Sequence, residues 1–361
     1  MTDYVKTEVR GGFGVITLDR PKALNSLSLE MVRALHQILS SWRADAAISA
    51  VLLRSSSDKA LCAGGDIRFF HDKGKLTPQG GSALLEDFFT EEYTLNHLIH
   101  HYPKLYIALM DGVVMGGGMG IAQAGPQARL RIVTERSKIA MPEVNIGLFP
   151  DVGGTYFLPR CPQFSGRWLA LCGEAIGAAD AIWCGLADCF VPARHISALQ
   201  DTLCASAGAD AAQVAAAFCA PFAAELPPAR IAPQADLIAR HFAHESVAQI
   251  QAALAADPAP FAQASLDSMQ KRSPLLMSVT LEALRRGAQM SVADCLRMER
   301  SLVRRTFEHG EVIEGVRALA VDKDNAPRWH PASLAEVTEQ QLQEMFAPVW
   351  PEWAHPLRHL D

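Results

Sequence analysis

An apolar strand that feeds directly into a cluster of glycines constrains this chain more than any other feature. Residues 105–110 (LYIALM) read as a buried strand, and Gly116-Gly117-Gly118-Met119-Gly120 follows within a few residues, entering a helix. The same arrangement occurs earlier. A short strand at 51–55 and a polar turn lead into Ala63-Gly64-Gly65-Asp66. Glycine lets a backbone approach a neighbour or a ligand closely and adopt angles closed to other residues. The N–H groups at a helix start have no intrahelical acceptor and lie at the positive end of its dipole. Two such N–H groups meeting on one oxygen make an oxyanion hole, worth about 3–4 kcal/mol per donor in other enzymes. Tight packing alone would also use these glycines, and each segment by itself leaves both readings open.

Strands alternate with helices around these segments, which predicts an α/β fold. Residues 14–19 read as a strand. Ser28 is placed to cap a helix whose Met31, Val32, Leu35, Ile38, Leu39 and Trp42 share one face. Residues 130–133 and 138–141 read as strands, 84–100 as an amphipathic helix, and 78–82 as a loop. From residue 165 the pattern becomes helical, and 193–260 is Ala-rich with breaks at Pro221, Pro227, Pro228 and Pro233. At 361 residues the chain is long for one domain. The expected organisation is a core over 1–195 and a helical C-terminal region over 196–361 that packs on it.

Composition narrows the function. A formal charge of −6 argues against nucleic acid as the main partner, so an anionic small ligand would need a local cationic patch. The eight cysteines are scattered without a CxxC, and Cys62, Cys172 and Cys184 have apolar neighbours. Reduced thiols in a cytoplasmic protein fit this pattern better than disulfides or a metal site. No apolar run reaches membrane-span length, and the first ten residues do not read as a signal peptide. The glycine run completes neither G-x-G-x-x-G nor a phosphate loop, no G-x-S-x-G occurs, and His244-Glu245 lacks a zincin's second histidine.

Two carboxylates remain close to the glycine run, Glu143 and Asp151 in AMPEVNIGLFPDVGG. Glu143 follows Pro142 and sits among Met141, Val144 and Ile146. Desolvation there would raise its pKa toward that of a useful general base. Asp151 precedes Val152-Gly153-Gly154, whose loop N–H groups are placed to hold its carboxylate. With the glycines, the pair reads as an oxyanion cradle facing an acid/base pair. In an acyl transfer to water, Glu143 would act as base for water or as nucleophile through a mixed anhydride, and Asp151 would orient water or a substrate hydroxyl.

KALCAGGDIR (59–68), DGVVMGGGMG (111–120) and AMPEVNIGLFPDVGGTYFLPR (140–160) together resemble the crotonase, or enoyl-CoA hydratase/isomerase, superfamily in order and spacing. The resemblance implies a right-handed spiral of ββα units with an α-helical C-terminal extension. It also implies an acyl-CoA substrate whose thioester C=O is polarised by the N–H groups of Gly65 and Gly117. Asp66, Gly116 and Glu92 become substrate contacts, although Glu92 alone reads as a solvated helix charge. Lys59, Ala63 and Arg68 become CoA contacts. No cofactor beyond the substrate's own coenzyme A and no metal are implied. Members of the family commonly form trimers and hexamers, so a homo-oligomer is the expected state unless the C-terminal addition covers their usual interface.

One departure selects a branch. Hydratases that resemble this chain carry a glutamate just after the glycine run, where this chain has Gly120. Glu143 is kept, and Asp151 stands where hydratases have a small residue. That combination resembles the 3-hydroxyisobutyryl-CoA hydrolase branch, as do EEYTLNHLI, SPLLMSVTLEAL, LRMERSLVRR, EGVRALAVDKDNAPRW and SLAEVTEQQLQEMF further along. The expected activity is hydrolysis of a short branched β-hydroxyacyl-CoA in valine breakdown. The rivals are a hydratase or isomerase of the same fold and, from another class, a non-catalytic scaffold or RNA-binding relative.

Overall fold

The computed structural model describes residues 2–77, 81–126, 129–206 and 210–361. Strands β1 (Val5–Arg10) and β2 (Phe13–Leu18) form a hairpin across Gly11-Gly12, both at positive φ. β2 also pairs in parallel with β3 (Ala50–Ser55), so it is enclosed on both sides and apolar at almost every position. β1 is the edge strand, largely polar and exposed, and its residues carry no alternation by which it could be read.

The sheet continues through β5 (Leu105–Met110), β7 (Arg129–Val133) and β9 (Cys189–Phe190), in the order β1-β2-β3-β5-β7-β9. A second sheet holds β4 (Ala60–Cys62), β6 (Val113–Met115) and β8 (Lys138–Ala140), in the order β4-β6-β8. Each consecutive pair, β3/β4, β5/β6 and β7/β8, thus places one strand in each sheet. The chain advances by one strand position per turn, which is the spiral the family resemblance implies.

Contacts divide the chain into two units, each drawn from three stretches. The first combines residues up to Gly65 with Leu95–Ile139 and Ile176–Ala232. On one face of its large sheet, Phe13, Val15, Leu52, Ile107, Leu109 and Ile132 alternate along their strands. They bury against Leu199 and Leu203 of the helix Ile196–Ala205 and Ala215 of the helix Ala211–Cys219. Each fully buried leucine contributes about 1.5–3 kcal/mol. Helix α1 (Leu29–Ala44) begins where expected, with Ser28 Oγ accepting the Met31 N–H at 3.3 Å.

The second unit comprises Asp66–Thr94, Ala140–Ala175 and Pro233–Asp361. It contains α2 (Ile67–Leu76), most of α3 (Ala83–His100) and the long helix Val292–His309. Phe70, Phe88, Phe89, Tyr93 and Phe307 pack as an aromatic cluster, with ring centroids 4.9–6.4 Å apart. The chain from Ile67 to Leu76, just ahead of the expected loop, is helical. The Asp66 carboxylate caps that helix, and Phe70, His71 and Gly74 form its buried stripe. Pro78 to Gly80 of the expected loop lie outside the described residues. Among the described residues, no helix is long and apolar enough to cross a membrane.

Candidate active site

The two glycine segments, both in the first unit, lie side by side because their strands do. β4 and β6 are parallel neighbours, with Cys62 opposite Val114, and each runs directly into its glycines. A Cβ built on Gly64 would stand 3.5 Å from the Gly117 nitrogen and 3.1 Å from the Met115 oxygen, and Gly64 has φ +97°. A Cβ on Gly118 would stand 2.1 Å from the Cys62 carbonyl oxygen. Gly118 is therefore required by the close approach of the two turns, and Gly64 chiefly by its left-handed φ. Leu27 N–H donates to Gly64 O at 2.8 Å, and Leu27 is bridged in parallel to Gly65. In that pairing the N–H of Gly65 points away from Leu27. Gly116, at φ 50° and ψ −122°, turns the chain into α4 (Gly117–Ala122), so Gly117 N–H is a helix-start donor with no intrahelical acceptor. Two N–H groups on adjacent parallel turns can serve one oxygen.

The carboxylates gather in the second unit. After β8, Pro142 leads into a 3-10 turn over Glu143–Ile146 that closes on Gly147 in the left-handed region. Only glycine fits there, since a Cβ would stand 2.4 Å from the Glu311 oxygen. Leu148 N–H donates to the Glu143 carbonyl at 3.0 Å, fixing its backbone. The Glu143 side chain is buried, and its Oε2 has no hydrogen-bond partner among the described residues. Asp151 is equally buried and accepts the Tyr93 hydroxyl on Oδ2 at 2.5 Å. Glu92 is 2 % exposed, which excludes the solvated-charge reading, and its Oε1 is likewise without a partner.

Sequence reading missed two members of this cluster, Tyr93 and Glu299. Glu299 is fully buried on the helix Val292–His309. Its Oε2 accepts Gly153 N–H at 2.8 Å, and its Oε1 accepts Thr155 N–H at 3.0 Å and Thr155 Oγ1–H at 2.5 Å. Of the loop N–H groups expected to hold the Asp151 carboxylate, that of Gly153 is thus turned to Glu299 instead, as is the neighbouring Thr155 N–H. A signal was present, since Glu299 lies three residues from both Leu296 and Leu302 on the buried stripe of that helix.

Burial dominates the electrostatics. It raises Glu143 well above the usual carboxylate range, and the charge of Asp151 adds to the shift, with Glu299 and Glu92 contributing further. Glu92 is raised by burial and then by Asp151. Asp151 is pushed up to about 6 by burial, against the Tyr93 hydroxyl, which favours its charged form. Burial pushes Glu299 up to about 8 despite its three donors. Both carboxyls are thus raised, chiefly by burial, and they share one apolar site, a setting in which carboxylates do acid–base work.

The remaining predicted residues are placed less centrally. Asp66 is engaged as the α2 cap, Gly116 is the buried turn residue before α4, and Ala63 is half-buried with its N–H donated to Leu24 O. Lys59 is exposed just before β4. Arg68 is exposed on α2, and its guanidinium donates to Ala320 O at 3.1 Å. All eight cysteines are free. Among the described residues, no group of His, Cys, Asp and Glu is arranged to hold a metal ion.

The family model described as enoyl-CoA hydratase/isomerase matches residues 13–346. The chain belongs to this family. Within the family, it is 39% identical over 340 residues to the Xenopus laevis protein named 3-hydroxyisobutyryl-CoA hydrolase, mitochondrial, covering 93% of this chain and 86% of that one. The Rattus norvegicus protein of the same name is 38% identical over 349 residues, covering 96% and 89%. A solved carnitinyl-CoA dehydratase from Mycobacterium thermoresistibile is 41% identical, with a TM-score of 0.88 over 97% of this chain and 98% of that one. A solved enoyl-CoA hydratase from Rhodobacter sphaeroides is 36% identical, with a TM-score of 0.85 over 96% and 98%. The family fold predicted from the three motifs is the one observed.

Proposed function

We propose that this protein hydrolyses a short branched β-hydroxyacyl-CoA thioester, foremost 3-hydroxyisobutyryl-CoA, to the free hydroxy acid and CoA, a step of valine catabolism. Relatives bearing that activity in their names and aligning over nearly the whole chain support the reading. The observation that carries it is the buried pair Glu143 and Asp151, combined with Gly120 where a hydratase needs its first glutamate.

In the proposed reaction, water attacks the thioester carbon while Gly65 N–H and Gly117 N–H receive the charge that develops on the carbonyl oxygen. The Glu143/Asp151 pair takes a proton from water and returns one to the sulfur. The C–S bond breaks, leaving a carboxylic acid and a thiol. The nucleophilic route through a Glu143 anhydride gives the same products. The partnerless Oε1 of Glu92 is a candidate acceptor for the substrate's β-hydroxyl, and Lys59 and Arg68 are candidate contacts for CoA phosphates.

The names of the two solved relatives favour a second reading, hydration or dehydration of an enoyl-CoA. Thiol release across a panel of short acyl-CoAs, run beside loss of crotonyl-CoA absorbance, separates them. Hydrolysis predicts free thiol from hydroxyacyl thioesters and unchanged crotonyl-CoA. Absorbance loss without thiol would replace the hydrolase reading with the hydratase one.

A further inference from the structure

We propose that Tyr93 and Glu299 are positioning residues that clamp Asp151 from two sides, Tyr93 through its hydroxyl on Oδ2 and Glu299 through the peptide that follows. This rests on the hydrolase reading, in which Asp151 works beside Glu143 on the attacking water. Between Asp151 and Gly153 stands Val152 at φ 52°, and Gly153 follows at φ 88°. A β-branched residue rarely occupies that region, and such a turn persists only where its surroundings hold it. Glu299 supplies that hold. It takes Gly153 N–H on one oxygen and both the N–H and hydroxyl of Thr155 on the other. Asp151 carries the turn's opening side and donates nothing to this grip. Its carbonyl accepts Gly154 N–H at 2.6 Å, so the carboxylate's direction follows the turn. The opposite side is fixed by Tyr93, which is fully buried beside Phe89 on α3.

A buried carboxylate gripping three donors around a strained turn explains why Glu299 stands on the buried face of its helix. It also explains why the Gly153 and Thr155 N–H groups do not reach the Asp151 carboxylate. The titratable groups facing Asp151 are Glu92 and Tyr93 from α3, Glu143 from its own turn, and Glu299 from the long helix. Of these, Tyr93 is the one that favours the charged form of Asp151.

The test uses the full chain and 3-hydroxyisobutyryl-CoA, with thiol release followed across pH. Tyr93→Phe removes the hydroxyl donor and keeps the ring. Its kcat should fall about 10- to 100-fold with KM little changed, and the acid limb of its profile should move to higher pH. Glu299→Gln turns an amide N–H₂ against one of its backbone donors and should lower kcat in the same manner. Thr155→Val loses the hydroxyl at constant shape and should be impaired, whereas Thr155→Ser should restore the rate. If Glu299→Gln does not fold, the Tyr93→Phe limb and the Thr155 pair decide. Wild-type kcat with an unmoved acid limb in Tyr93→Phe, or equal rates for Thr155→Val and Thr155→Ser, overturns the clamp and leaves hydrolysis standing. No thiol release by the unaltered protein overturns both.

Discussion

The burial of Glu299 makes a stability prediction that does not depend on the substrate. Its carboxyl is raised from an ordinary 4.5 to about 8, first by burial. A carboxyl raised in the folded state binds its proton more tightly there than in the unfolded chain. Its stabilising share is therefore fully present below about pH 4.5 and is lost as pH rises toward about 8. Between about pH 5.5 and pH 8.5 the loss from this one group amounts to about 3 kcal/mol. Glu299→Gln cannot titrate, so it escapes that loss. Disrupting the grip on Gly153 will cost the variant a separate, nearly pH-independent amount. The diagnostic quantity is therefore the slope of the difference with pH. The variant should gain on the unaltered protein by about 3 kcal/mol across that interval, or about 4 °C in melting midpoint for a chain this long. Thermal melts by circular dichroism at several pH values, with both proteins in the same buffers, measure it. Parallel melting profiles, or a variant that falls further behind as pH rises, would refute a buried, proton-holding Glu299.

Further outcomes follow from the same geometry. Glu143→Gln and Asp151→Asn should each lower thiol release by about 10²- to 10⁴-fold, while calorimetry still shows CoA binding. A variant that keeps near-normal turnover loses its assigned role. Gly118→Ala would press a methyl group against Cys62 O, 2.1 Å from the ideal Cβ position. It should destabilise by about 1–3 kcal/mol and depress kcat, and an unchanged melt with full activity would show that the two turns need not lie so close. Glu92→Gln should raise KM for a β-hydroxyacyl-CoA more than for its deoxy analogue, and equal changes for the two thioesters would remove Glu92 from hydroxyl recognition.

What could be read in the chain beforehand follows a physical division. Buried strands such as Leu105–Met110 and the capped helix after Ser28 were legible because their apolar spacing and cap residue are local properties. The edge strand Val5–Arg10 was not, since its pairing is supplied by β2 and its side chains face solvent. Gly64, Gly116 and Gly118 could be singled out, but their convergence could not, because it depends on β4 and β6 being neighbours in space. Glu143 and Asp151 stood out through their apolar setting. Tyr93 was hidden by its ordinariness as a core aromatic. Glu299 was hidden by distance, lying 146 residues from Gly153. Asp66 carried two meanings in sequence, motif member and helix cap, and in the structure it is engaged as the cap.

The dependence on Glu299 changes how the C-terminal third of the chain should be regarded. A helical extension on an α/β core invites treatment as an accessory that could be trimmed. Removing the helix Val292–His309 would leave Gly153 N–H and Thr155 N–H as buried donors without their acceptor, each costing about 1–3 kcal/mol. The Val152 turn would then have no reason to keep its unfavourable angle and would relax. Asp151 moves with that turn, so the proposed acid–base pair would be lost even though both of its members lie far upstream. Three stretches thus contribute Tyr93, Asp151 and Glu299 to one compact unit. The family resemblance reaches as far as residue 346, and the carboxylate on that late helix supplies a physical reason for it to extend beyond the core motifs.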